Sequence, residues 1–118
     1  LSLSRVAFVL ERPKDIVNIG GVVRVMKNFG LGDLRLVEPD EFDPYRLEGI
    51  AHRGSDLIEA ATIHHTLDEA VADATFIVGT TARARTAGRS YTRPRHVAST
   101  IAARAASGPG PCAVLFGR

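Results

Sequence analysis

The chain has 118 residues, a formal net charge of +2, and hydrophobic and charged fractions of 45% and 24%, the proportions of one ordinary globular domain. No apolar run approaches the roughly 20 residues that cross a bilayer and no signal-peptide pattern opens the sequence, which removes a membrane from the expected partners. Cys112 is the only cysteine, so an internal disulfide is excluded and a reducing cytoplasm fits.

Val6-Ala7-Phe8-Val9-Leu10 is a continuous apolar run, as expected of a strand buried on both faces. A polar loop, Glu11 to Val17, leads to a helix expected over Asn18–Phe29. Asn18 is the expected N-cap, Gly30 the left-handed residue after the last turn, and Leu31 the apolar residue that follows it. Ile19, Val22, Val23, Met26 and Phe29 fall on one helical face and are expected to be buried. Gly20, Gly21, Arg24, Lys27 and Asn28 fall on the other. Two glycines so early in a helix cost about 1 kcal/mol each relative to alanine. Either a ligand approaches the bare backbone beside Arg24, as anions do at helix starts, or the glycines serve close helix packing.

Leu34–Val37 reads as a second strand, and strand, helix and strand in about 30 residues make a right-handed βαβ unit. Tyr45–Ala61 reads as helix, reset near Gly54 with Ser55 or Asp56 as a new cap. Ile63-His64-His65 is a possible short strand by its composition. Thr66 and Glu69 have the spacing of a capping box for a helix through Ala72. Thr75–Gly79 is another buried strand, Thr80–Arg93 a polar loop, and Pro94 the first residue of a further helix. Cys112–Phe116 is the last strand, with Cys112 as a packed residue rather than a nucleophile. Apolar strands alternating with helices define an α/β fold, an open, mostly parallel sheet flanked by helices, whose ligands bind beyond the carboxyl ends of the strands. The Asn18 turn, the Thr80-Thr81-Ala82 turn and Gly117-Arg118 all belong to those ends.

Charge divides the chain. Through Asp73 there are eight basic residues against thirteen acidic ones, a balance of −5; from Ala74 onward there are seven arginines and no acid, a balance of +7. Thirteen of the fifteen basic residues are arginine, the side chain suited to forked phosphate contact. Arg83, Arg85, Arg89, Arg93 and Arg95 cluster around Tyr91. They read either as a solvated loop or as an arm that tracks the phosphates of RNA, with Tyr91 as a stacking surface. His52, His64, His65 and His96 lack the spacing of metal ligands, so no metal is expected. No phosphate-binding GxxxxGK[ST] loop, spaced GxGxxG or nucleophile elbow is present.

Six segments in order resemble the SPOUT superfamily, most of all its SpoU/TrmH group of RNA ribose 2′-O-methyltransferases and, within that, the TrmJ-like tRNA enzymes. They are Asn18–Arg24, Met26–Val37, Gly54-Ser55-Asp56, Leu67–Ala70, Val78–Arg85 and Val114–Arg118. The resemblance implies methyl transfer from S-adenosyl-L-methionine (AdoMet) to a ribose 2′-hydroxyl of RNA, with tRNA favoured over rRNA, by a homodimer whose sites use both subunits. It implies Asn18 and Arg24 as catalytic-site residues, and Thr80, Thr81, Ala82 and Gly117 as the lining of the cofactor pocket. RNA contacts are expected from Lys27, Arg83, Arg85, Arg89 and Arg93. The family's usual glutamate after Phe-Gly-Arg and its third motif are not in this sequence, so residues 1–118 are expected to be one SpoU-like domain truncated before the knot-closing segment. The rival reading is a non-catalytic RNA- or nucleotide-binding module on the same α/β sheet.

Overall fold

The computed structural model describes residues 5–51, 54–80 and 111–116. Five strands among these residues form one sheet: β1 (Val6–Glu11), β2 (Asp33–Val37), β3 (Thr62–His64), β4 (Phe76–Thr80) and β5 (Cys112–Phe116). Their order is β3-β2-β1-β5-β4, and every pairing is parallel. The expected sheet is therefore present, with β1 at its centre.

Among the described residues four helices, α1 (Ile16–Asn28), α2 (Pro44–Ala51), α3 (Ser55–Ala60) and α4 (Leu67–Ala70), cover the sheet. Alternate residues of each strand serve opposite faces. Val6, Leu10, Leu34, Leu36 and Cys112 pack with α1, α2 and α3, whereas Val9, Val37 and Ala113 pack with Ala70 of α4. Burial on both sides is why β1 and β5 read as apolar runs.

Helix α1 begins earlier than its sequence suggests. Asp15, not Asn18, is the N-cap, and its carboxylate accepts from the Val17 N–H at 2.9 Å. The carboxylate caps as well as an amide does, and the added turn buries Ile16 beside Ile19, Val23 and Met26. Burying each of these side chains is worth about 1.5–3 kcal/mol. The helix ends as expected at Gly30, φ 72°. The Leu31 N–H reaches Met26 O at 2.9 Å and the Gly30 N–H reaches Lys27 O at 3.3 Å, the paired bonds of a Schellman turn. That turn sends Leu31 into the core. Phe29, expected there, is instead 66% exposed.

Gly20 is buried against α2, where a Cβ would collide with the side chain of Ile50. Helix packing is thus the reason for this glycine, and the approach of a ligand is not. Around Gly21 a Cβ would meet nothing within 4 Å. Gly54 caps α3 without a side-chain bond. A Cβ at Gly54 would lie 2.6 Å from Val23 Cγ1, so the start of α3 is pressed onto α1, and Ser55 and Asp56 fall inside the helix rather than capping it. Thr66 caps α4 by accepting from the Glu69 N–H at 3.1 Å. The return bond of the box comes from the His65 N–H, one residue before the cap, and α4 stops at Ala70 rather than Ala72.

Arg35 of β2 fastens the second face. Its guanidinium donates to both oxygens of Asp33, to Asp73 at 2.6 Å and to Ala70 O at 2.8 Å. The Arg35 side chain is only 12% exposed, so it ties the end of α4 to the sheet. Hydrogen bonding from Arg35 holds the Asp73 carboxyl below its ordinary value.

Candidate active site

Because all five strands run the same way, their carboxyl ends share one edge. Leu10 of β1 pairs with Phe116 of β5, and Phe116 pairs in turn with Thr80 of β4. The ends of three strands are therefore level. An open cleft of about 470 Å³ lies on this edge between the β1–α1 loop and the end of β5. Leu10, Ile19, Val22 and Phe116 form its apolar floor. Phe8 backs Phe116, with ring centroids 5.3 Å apart and planes tilted by 49°, a favourable aromatic arrangement.

The rim is polar: Glu11, Arg12, Lys14 and Asn18, with Pro13 between. Two backbone bonds pin this loop to the end of β2. The Arg12 N–H donates to Val37 O at 2.7 Å, and Pro13 O accepts from the Asp40 N–H at 3.1 Å. Arg12 and Glu38 both lie in the left-handed region, at φ 50° and 45°, and their side chains approach at 3.6 Å.

The expected catalytic pair is divided between two faces of α1. Asn18, released from capping by Asp15, sits on the cleft rim. Its side-chain amide has no partner among the described residues. Arg24 is exposed, and it does not line the cleft. Six residues separate it from Asn18, which places it about 120° round the helix. Lys27 donates to Asp56 Oδ2 at 2.6 Å, linking the last turn of α1 to the first of α3; this bond also holds the Asp56 carboxyl below its ordinary value.

Thr80 ends β4 at the carboxyl edge of the sheet, one residue after Gly79, where a Cβ would meet nothing within 4 Å among the described residues. Thr81, Ala82, Arg83, Arg85, Arg89, Tyr91, Arg93, Arg95, Gly117 and Arg118 lie outside the described residues, as do His52, His96 and the helix expected from Pro94. Among the described residues no group of three His, Cys, Asp or Glu side chains is placed to hold a metal. None of the described helices is long and apolar enough to cross a membrane. Phe116, expected at the cleft with the terminal Phe-Gly-Arg, does line it, whereas sequence reasoning passed over Arg12 and Lys14. The usable signal for those two was their place directly after β1, where parallel sheets bind ligands.

An all-parallel α/β sheet with a polar-rimmed cleft at its carboxyl edge has the form of a ligand-binding α/β domain. The chain belongs to the SpoU rRNA Methylase family, which matches residues 5–118. It is 35% identical over 116 residues to the tRNA (cytidine/uridine/adenosine-2′-O-)-methyltransferase TrmJ of Pseudomonas aeruginosa, covering 98% of this chain and 45% of that protein. It is 38% identical, over 98% of this chain and 47% of the relative, to the tRNA (cytidine/uridine-2′-O-)-methyltransferase TrmJ of Salmonella typhimurium. Among solved structures, TrmJ from Z. mobilis ZM4 superposes with a TM-score of 0.83 at 35% identity, over 94% of this chain and 48% of that one. A probable methylase family protein from Haemophilus influenzae Rd KW20 gives 0.88 at 31% identity, over 99% and 48%. The chain spans about half the length of the curated relatives it matches.

Proposed function

We propose that the full-length protein methylates a ribose 2′-hydroxyl of RNA, with tRNA as the substrate class and AdoMet as the methyl donor. The observation that carries this reading is the 35% and 38% identity to tRNA 2′-O-methyltransferases along 98% of the chain. Bound AdoMet would supply a methyl group on a sulfonium, already a strong electrophile. What remains for the protein is alignment of the attacking oxygen, which can be worth several kcal/mol, and assistance to loss of its proton.

Asn18 offers a donor and an acceptor on the cleft rim and would orient the ribose. A guanidinium cannot serve as a free base. The proposed role of Arg24 is to grip the phosphate beside the target ribose and to stabilise charge growing on the 2′-oxygen. That phosphate, or a group of the second subunit, takes the proton.

The position of Arg24 away from its own cleft supports a homodimer with shared sites. Val17 (57% exposed) lies about 20° from Arg24 round α1, and Val25 (49%) and Phe29, nearer the side of Asn18, extend the exposed apolar surface of the helix. We assign this face to a second copy, with Arg24 delivered to the neighbouring cleft. With RNA as substrate and a single cysteine in the chain, the proposed compartment is the cytoplasm. The test is methyl transfer from labelled AdoMet to tRNA by the full-length protein, with nuclease mapping of the product. A nuclease-resistant 2′-O-methylated linkage is expected; absence of any methylated tRNA overturns the proposal.

A further inference from the structure

We propose that Arg12 and Lys14 form a phosphate grip on the cleft rim, holding the RNA backbone beside Asn18. The inference rests on the RNA-methylation reading and adds to it two residues outside the family motif.

Both side chains are exposed at the mouth of a cleft whose apolar floor is built from Ile19, Val22 and Phe116. A nucleotide seated on that floor would bring its phosphate to the polar rim, and two of the four rim side chains are cationic. The loop carrying them is pinned at Arg12 and Pro13 to the end of β2, so the cations are presented from a fixed backbone rather than a roaming one. Pre-set geometry of this kind lowers the ordering cost of binding.

The neighbouring acids leave the grip available. Asp15 is engaged in capping Val17. Glu38 meets Arg12 through Nε at 3.6 Å, longer than a hydrogen bond, with both side chains more than half exposed. Such a pair is weak and screened. It leaves the forked Nη edge of Arg12 without a partner among the described residues, and that edge is the one matched to phosphate oxygens. Lys14 also has no partner among the described residues. Glu11, the remaining acid of the rim, belongs to β1 and forms the cleft wall beside Arg12.

Glu38 therefore competes with phosphate for Arg12, and this gives the proposal two tests of opposite sign. In the full-length protein, Arg12→Asn keeps a residue tolerant of left-handed backbone, and Lys14→Ala removes the second cation. Each is expected to weaken tRNA binding several-fold. Together they should flatten the dependence of log affinity on log salt by about 0.7–0.9 for each phosphate no longer neutralised. Glu38→Gln should tighten tRNA binding, again by several-fold. AdoMet affinity, read by calorimetry, should stay at the wild-type value in all three.

An unchanged salt slope in the double variant overturns the grip, as does weaker binding by Glu38→Gln. Loss of AdoMet affinity with an unchanged salt slope also overturns it, and assigns the rim to the carboxylate of the donor. Circular dichroism and melting temperature confirm that each variant is folded. Wild-type protein that neither binds nor methylates tRNA defeats the reading of function itself; wild-type methylation with unaltered rim variants defeats only the grip.

Discussion

Gly20 of α1 faces Ile50 of α2 with no room between them for a Cβ. The obstructing atoms are Cγ2 and Cβ of a branched side chain, which cannot swing aside as a flexible tip would. Gly20→Ala should destabilise the fold by about 1–2 kcal/mol, the overpacking cost exceeding the gain in helix propensity. Gly49 of α2 is the control, since a Cβ there meets nothing within 4 Å. Gly49→Ala should stabilise by about 0.5–1 kcal/mol. Thermal melts of the two variants should move in opposite directions.

The bond between Arg35 and Asp73 predicts a pH dependence. The folded-state pKa of Asp73 lies below its ordinary 3.8 because Arg35 hydrogen bonds to the ionised form. A lowered folded pKa contributes stability that is present above the unfolded value and is lost as pH falls below it through the folded one. Asp73→Asn should therefore be less stable than wild type at neutral pH, and the gap should close as pH falls below about 3.8. Chemical denaturation at a series of pH values reads this directly.

Arg24→Lys keeps a charge and loses the fork. In the full-length enzyme it should lower turnover by about 100-fold or more, with only a modest loss of tRNA binding. Wild-type turnover would remove Arg24 from the mechanism. Sharing of sites between subunits makes a further demand. Mixing inactive Arg24→Ala and Asn18→Ala proteins should restore activity, because a mixed dimer then carries one intact site. Val25→Asp should yield monomers by light scattering.

The arginine cluster is expected to set RNA affinity. Alanine at Arg83, Arg85 and Arg89 together should weaken tRNA binding and reduce its salt dependence by about 0.7–0.9 for each phosphate these arginines neutralise. An unaltered salt slope would leave these residues as a solvated loop.

β1 and β5 were legible as apolar runs covered on both faces of the sheet, whereas β2 carries Arg35 and the short, exposed β3 left only a weak mark. The stop of α1 was legible for a similar reason, since Gly30 and Leu31 carry the chemistry of the turn itself. Its start was not, because two capable caps, Asp15 and Asn18, stand three residues apart, and only packing of Ile16 into the core decides between them. The same shift turns Asn18 from a capping group into a rim group. Phe29 was misplaced because a Schellman turn redirects the chain and gives its core position to Leu31. The role of Gly20 depended on Ile50, thirty residues away, and no local pattern announces such a neighbour. Motif spacing joined Asn18 and Arg24 in one site, but six helical residues carry them to different faces.

Strand order has one last consequence. The strand at the centre of the sheet is made first of the five, yet its β5 neighbour is made after the other four, with Val6 paired to Cys112. Until β5 arrives, β1 has a bare edge, β4 has nothing to pair with, and the floor of the cleft lacks Phe116. A ribosome-bound chain that has reached only residue 111 would thus lack the Phe116 wall of its cleft. Distant pairings of this kind close slowly, which makes the newborn protein dependent on protection from aggregation until β5 threads home.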